Sequence, residues 1–157
     1  MIDSFRGDYA FLSNFYTAEV LYKGITYMSS ESAYQAQKTL DESVRHKISL
    51  LNASSAKRAS RHIDLRSDWN NVKLTIMHDI VYAKFSQNVG LKEKLLATGN
   101  ELLVEGNTWG DYSWGQVDGK GSNYLGKILM LVRAELSTAK RYKVSENGNL
   151  ELLNGGD

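Results

Sequence analysis

The chain has 157 residues, of which 42% are hydrophobic and 24% charged, and its net charge is +1. That is enough chain for one domain with a proper core, and it excludes a disordered polypeptide and a global basic field for nucleic acid or anionic membrane. There is no cysteine, which excludes disulfides, thiolate nucleophiles and cysteine-bound zinc and suits a reducing compartment.

In chain order, the first six residues lack the basic-then-apolar pattern of a signal peptide, and nowhere does the sequence approach the roughly 20 apolar residues of a membrane span. Residues 19–27 read as two short strands around a Lys23-Gly24 turn. Ser29 or Ser30 is expected to cap a helix running from Glu31 to Leu40, and Ser54 or Ser55 another that contains Lys57 and Arg61. A long helix follows Asp68, with Val72, Ile76, Met77, Ile80, Val81 and Phe85 at helical spacing. Residues 91–97 continue helical up to a Gly99 cap, and residues 101–105 read as a strand. A loop rich in Gly, Asp and Trp fills residues 106–123. A second amphipathic helix then carries Leu125, Ile128, Leu129, Val132 and Leu136 on one face, before a closing hairpin at 142–144 and 150–152. The expected class is α+β: a mainly helical single domain with a few short strands, over residues 1–145. Residues 146–157 are expected to be a C-terminal tail, frayed at Asn154-Gly155-Gly156-Asp157.

Several residues stand out chemically. On a helical wheel, Glu31, Tyr34, Gln35 and Lys38 share one face, opposite Ala33, Ala36 and Leu40. Either this face is solvated, or it places a carboxylate and an amine in one cleft. Trp109-Gly110-Asp111-Tyr112-Ser113-Trp114-Gly115 sets two tryptophans around an aspartate. They either plug the core or present flat faces to a base. Gly121 to Lys127 resembles part of a phosphate-binding loop, but Ile128 stands where that motif needs Ser or Thr, so a nucleoside triphosphatase is rejected. A plain helix start, or a helix N-terminus facing a phosphate, remains there. His46, His62 and His78 lack metal-like spacing. Lys57, Arg58, Arg61 and Arg66 form a loose basic run, usually a solvated face, though a clustered pair can hold a pyrophosphate.

Taken together, these segments resemble one family. Phe11-Leu12-Ser13-Asn14-Phe15 is similar to its "FLSNF" motif, and Glu31 to Lys38 to its "E-x-x-Y-Q-A-x-K" helix. Arg66 to Trp69, Lys84 to Asn88, Leu96 to Gly99 and Leu103 to Glu105 match in order, followed by Asp111, Trp114-Gly115 and the run from Gly121 to Met130. The chain is thereby identified, over roughly residues 5–135, as resembling the NADAR family, also called YbiA-like.

The resemblance implies an N-glycosidase with no metal or organic cofactor. Its substrate would be a ribosylamino-pyrimidine intermediate of riboflavin synthesis, or ADP-ribosylated guanine in nucleic acid. It implies no membrane partner and a cytoplasmic location, the host's cytoplasm if the source is viral. Cleaving a ribose–nitrogen bond requires stabilising positive charge on the sugar and protonating the base. Glu31 is the first choice as acid/base. Lys38 either forms a Schiff base at C1 of the sugar or positions a hydroxyl or phosphate. Asp111 and Glu105 would orient water or a sugar hydroxyl, and Trp109 or Trp114 would stack on the base. Arg6, Asn14, Tyr34 and Asn123 complete the expected binding residues, with Asn123 near a phosphate. The rival readings are a module that binds ADP-ribose or a nucleotide without cleaving it, and an interaction domain that uses the Trp loop against a protein.

Overall fold

The computed structural model describes residues 1–153. A 3₁₀ turn at Gly7–Leu12 leads into the hairpin β1 (Thr17–Tyr22) and β2 (Ile25–Ser29). Tyr22 pairs with Ile25, so only Lys23 and Gly24 turn the chain, and both have positive φ, +49° and +84°. A two-residue hairpin of this kind needs φ > 0 at both positions, which glycine adopts without steric cost.

Helix α1 (Ser30–Ala36) begins where the sequence suggests. Ser29 accepts from Ser32 N, and the Ser32 hydroxyl accepts from Ser29 N, which closes a capping box. The helix ends at Ala36, four residues short of the expected Leu40. Its last turn tightens, with Gln37 N donating to Tyr34 O and Lys38 N to Gln35 O. The freed carbonyls are taken from outside: Arg66 N reaches Lys38 O at 2.8 Å, and Arg45 Nε reaches Thr39 O at 2.9 Å. Leu40 is therefore 66% exposed, outside the core expected for it opposite Glu31.

Helix α2 (Glu42–Ser49) is an element that periodicity does not reveal, and Asp41 caps it. Helix α3 (Ala53–Ala59) is capped by Asn52, whose Oδ1 accepts from Ser55 N, and by neither expected serine. A 3₁₀ turn (Ser60–His62) extends it through Arg61. Helix α4 (Trp69–Gln87) is the axle of the domain. It buries a broad arc of its surface and packs on α1, β1, α5 (Val89–Ala97) and α6 (Tyr124–Thr138). Helix α5 stops at Gly99, as expected (φ +62°).

The expected strand at 101–105 is absent. Residues 102–104 make one parallel bridge to Ile2, and on the other side the Asn123 side chain replaces a strand partner. Its Oδ1 accepts from Glu105 N and its Nδ2 donates to Leu103 O. The hairpin β3 (Tyr142–Val144) and β4 (Leu150–Leu152) closes the described chain, and the Thr75 hydroxyl on α4 donates to Val144 O. The four-residue Gly-rich end expected to fray lies outside the described residues.

Candidate active site

A cavity of about 910 Å³ opens between the N-terminal segment, α1, α3, α4, the Trp loop and the start of α6. A hollow of this size is ample for a nucleotide-sized ligand. Helix α1 supplies Glu31, Tyr34 and Gln35, with Lys38 just beyond its end. The segment before β1 supplies Asn14 and Phe15, α3 and its extension supply Lys57, Arg58 and Arg61, and the Trp loop supplies Glu105, Trp109, Asp111 and Trp114. Arg6 lines the rim, its guanidinium 5.9 Å from the Trp109 ring.

The two motifs of α1 and the preceding segment dock on each other. Glu31 N donates to Asn14 O at 3.0 Å, and the Ser30 hydroxyl donates to Asn14 Oδ1, also at 3.0 Å. Lys84 holds this segment from behind. Its ammonium, 1% exposed on α4, donates to Phe11 O at 2.7 Å and Ser13 O at 2.9 Å. Burial pushes the Lys84 amine down to about 7. Folded Lys84 then binds fewer protons than the unfolded side chain from about pH 7 up to the ordinary lysine value of about 10.4, so stability rises with pH across that window. Thermal melts between pH 7.5 and 9.5 are expected to show Tm climbing in the wild type. Lys84→Met should lose most of that slope and about 1–3 kcal/mol of stability, because two carbonyls lose their donor. A wild-type Tm that stayed flat or fell over this range would show that Lys84 remains fully protonated in the fold.

Glu31 is 7% exposed and accepts a 2.7 Å hydrogen bond from Gln35 Nε2. Burial raises its pKa, while the Gln35 bond, Lys57 and Lys38 pull it back and Asp111 adds to the rise. With its amide nitrogen on Glu31, Gln35 keeps Oε1 buried without a partner, the one such side-chain atom among the described residues. Lys38 is shifted down, chiefly by burial, with Lys57 adding to the fall and Glu31 opposing it. On the facing wall, burial lifts Glu105 to about 7, against a hydrogen bond from Asn107. Two carboxyls displaced upward and an amine displaced downward in one cavity are the groups proton transfer and nucleophilic attack use.

The Trp loop divides its tryptophans between the two readings. Trp114 is half-buried and packs edge-on against Tyr34, ring centroids 5.5 Å apart, and against Tyr124 at 6.2 Å. Trp109 is 58% exposed at the cavity rim, free to stack on a ligand. Asp111 uses one oxygen structurally, as Oδ1 accepts from Ser113 N and Trp114 N at 3.0 and 2.9 Å. Asn107, absent from the sequence expectations, knots the loop. Its Nδ2 donates to Glu105 Oε2 and Asp111 O, and its Oδ1 accepts from Asp111 N. Gly115 has no room for a side chain, since a Cβ there would fall 1.8 Å from Glu105 Oε2.

Of the expected site residues, only Asn123 is not brought to the cavity wall. Nor does the start of α6 offer N–H groups to a phosphate. The N–H groups of Ser122, Asn123, Tyr124 and Leu125 donate to the carbonyls of Tyr112, Gly115, Ser113 and Trp114. Arg66 also turns away, pairing with Asp68 at 2.6 Å. His78 is buried at 1% exposure against Glu135, 2.6 Å away, and takes no part in the cavity.

The chain is similar to known proteins over most of its length. Residues 4–137 match the NADAR domain. The chain is 38% identical over 137 residues to N-glycosidase YbiA of Escherichia coli, covering 85% of each. It is 36% identical over 135 residues to an N-glycosidase of Nostoc punctiforme, covering 82% of this chain and 86% of that one. Against a riboflavin biosynthesis protein of Vibrio vulnificus it is 40% identical over 141 residues, which is 87% of this chain but spans 38% of that protein's length. The NMR structure of E. coli YbiA superposes with a TM-score of 0.76 at 37% identity over 88% of each chain.

Proposed function

The chain belongs to the NADAR domain family and is a hydrolase acting on N-glycosyl compounds, and we propose that it cleaves the bond between C1 of a ribose and an amino-substituted base. Glu31 and Lys38 are the catalytic pair in this reading. The observation that carries it is the buried Glu31 carboxyl, shifted up, in one cavity with the Lys38 amine, shifted down.

Glu31 in its acid form gives its proton to the leaving nitrogen. The ring opens as C1–O4′ breaks and C1=N forms, the N–H proton of the base-bearing nitrogen passing to O4′. The Lys38 amine then adds to C1 and passes a proton to that nitrogen. The C1–base bond breaks as Glu31 protonates the nitrogen, so the base departs as a neutral amine and Lys38 is left as a protonated imine. Water then hydrolyses the lysyl imine, which releases ribose, restores Lys38 and returns the proton to Glu31. Glu105 and Asp111 orient that water, and Trp109 stacks on the base. The relative named for riboflavin biosynthesis supports a ribosylamino-pyrimidine as substrate. ADP-ribosylated guanine offers the same ribose–nitrogen bond and is the second substrate to present. Such substrates belong to the cytoplasm, where this reading places the protein; no helix among the described residues is long and apolar enough to cross a membrane.

The test is turnover of both substrates followed by mass spectrometry, with borohydride added during the reaction. Release of free base, together with a reduced ribosyl adduct on Lys38 that Lys38→Met abolishes, is the expected result. Release without an adduct would turn Lys38 into a residue that positions a hydroxyl and make water the direct attacker. Tight binding without release from either substrate would leave a binding module.

A further inference from the structure

Tyr34 gives its ring to the scaffold and leaves its hydroxyl unused. The ring is wedged between two tryptophans, its centroid 5.1 Å from that of Trp69 and 5.5 Å from that of Trp114. The residue is 5% exposed. No group among the described residues hydrogen-bonds its oxygen, and burial and two nearby charges alone set its acidity. Nor is that oxygen sealed inside the protein, since Gln35 Oε1 is the one fully enclosed side-chain atom without a partner among the described residues. The small exposed part of Tyr34 therefore includes the hydroxyl, and Tyr34 lines the cavity. A buried tyrosine O–H ordinarily finds a partner. Here the partner's place is in the hollow.

The hydroxyl stands among the groups that the mechanism uses. Tyr34 follows Glu31 by three residues and precedes Lys38 by four, and all three line the same cavity. The Glu31 and Asp111 carboxyls lie near enough for both charges to act on the phenol. Trp69, which fixes the ring, also has Lys38 Nζ 6.0 Å from its own ring centroid. Burial and the two carboxyls push the phenol well above its ordinary range. The side chain therefore stays neutral, with one proton to give and lone pairs to accept another.

Resting on the N-glycosidase reading, in which Lys38 attacks an opened sugar, we propose that the Tyr34 hydroxyl is the proton relay that opens the ribose ring. Ring opening moves the N–H proton of the base-bearing nitrogen to O4′. Both atoms are bonded to C1, so direct transfer would pass through a strained four-membered ring. One hydroxyl held against both atoms closes a six-membered ring instead. The phenol oxygen takes the proton from nitrogen as its own proton passes to O4′. The C1–O4′ bond breaks with its electron pair on oxygen, and the N–H pair becomes the second bond of C1=N. Tyr34 ends neutral, as it began, and no co-reactant is consumed. Glu31 keeps its proton for the departing nitrogen, and Lys38 meets an electrophilic C1. The tryptophan clamp holds the relay in position before substrate arrives.

The experiment compares wild type and Tyr34→Phe on the closed-ring substrates, a ribosylamino-pyrimidine and an ADP-ribosylated guanine oligonucleotide, and on glyceraldehyde, an aldehyde with no furanose ring to open. Phenylalanine keeps the ring between the tryptophans and removes an oxygen that has no protein partner, so Tm should not change. A lower Tm would mean that the hydroxyl is bonded inside the fold, which removes it from the relay. On the closed-ring substrate that wild type cleaves, kcat is expected to fall about 10²-fold with KM held within about twofold. With cyanoborohydride present, glyceraldehyde should label Lys38 equally fast in both proteins, as read by mass spectrometry. A variant that turns over within about threefold of a wild type that forms the lysyl adduct would overturn the relay and leave the N-glycosidase reading standing. Equal losses with substrate and glyceraldehyde would make Tyr34 a support for Lys38 and not a relay. A raised KM at unchanged kcat would mark a static hydrogen bond to the sugar, with the same consequence. Base release by wild type without a Lys38 adduct, or no release at all, would sink the lysyl imine itself and the relay with it.

Discussion

Glu31→Gln is expected to lower kcat/KM by about 10³-fold, within the range that general acid–base groups contribute. The substitution keeps the shape of the side chain and an oxygen able to accept from Gln35 Nε2, which now reaches it at 2.7 Å. Fold and ligand affinity should therefore survive, with affinity changed by no more than about threefold, because what is removed is a transferable proton. The acid form does the work, and burial raises the pKa of Glu31, so activity should be present below that pKa and fall as pH rises through it. Glu105 shapes the other limb. It must be ionised to accept from water, and its carboxyl titrates near about 7, so rate should fall as pH drops below that value. Glu105→Gln should remove that acid limb. Turnover by Glu31→Gln within about threefold of wild type would dismiss Glu31 as the proton donor, whatever its surroundings.

The residues proposed as catalytic could be read from the sequence because they lie on one face of a short, strongly signalled helix. Ser29, followed by Ser32 at the capping distance, marks the start of α1, and Glu31, Tyr34 and Gln35 then share a side by period alone. Lys38 reaches the same cavity although the helix has ended by then, since the tightened turn continues in nearly the same sense. The parts that escaped depend on partners far along the chain. Helix α2 has a clear cap in Asp41 but only Val44 and Ile48 as apolar positions, too few to show a period. Residues 101–105 have the composition of a strand, yet the Asn123 side chain takes the hydrogen bonds that a partner strand would make. The same use of Asn123 removes it from the ligand site, a substitution of roles that no local pattern encodes. Asn107 is anonymous until the loop closes around it.

Glu135→Ala should cost about 3–5 kcal/mol, the usual loss on breaking a buried charge pair. At this chain length that corresponds to a Tm lower by roughly 10 °C. Glu135 sits on α6 with its side chain fully enclosed. His78 Nε2 on α4 lies 2.6 Å from one oxygen, while Tyr142 N at 2.8 Å and Arg141 Nε at 3.2 Å donate to the other. Arg141 also lies over the Tyr82 ring at 3.5 Å, so one carboxylate ties α4, α6 and β3 together. Burial opposes its charge, but His78, Tyr142 N–H and Arg141 together hold it below the ordinary carboxylate range. A depressed folded pKa means the stabilisation is present above the unfolded value, about 4.3, and is lost as pH falls through the folded one. Burial drives Glu31, Asp79 and Glu105 the opposite way, so the wild-type melt alone mixes two trends. The gap in Tm between wild type and Glu135→Ala isolates the pair, and it should be widest near pH 7 and close on acidification below about 4.3. Met77 beside His78 lines the cavity, so α4 serves the scaffold on one side and the site on the other. At a temperature well below its lowered Tm the variant should therefore turn over substrate at the wild-type rate, and a kcat reduced in proportion to the lost stability would mean that the cluster also tunes the site.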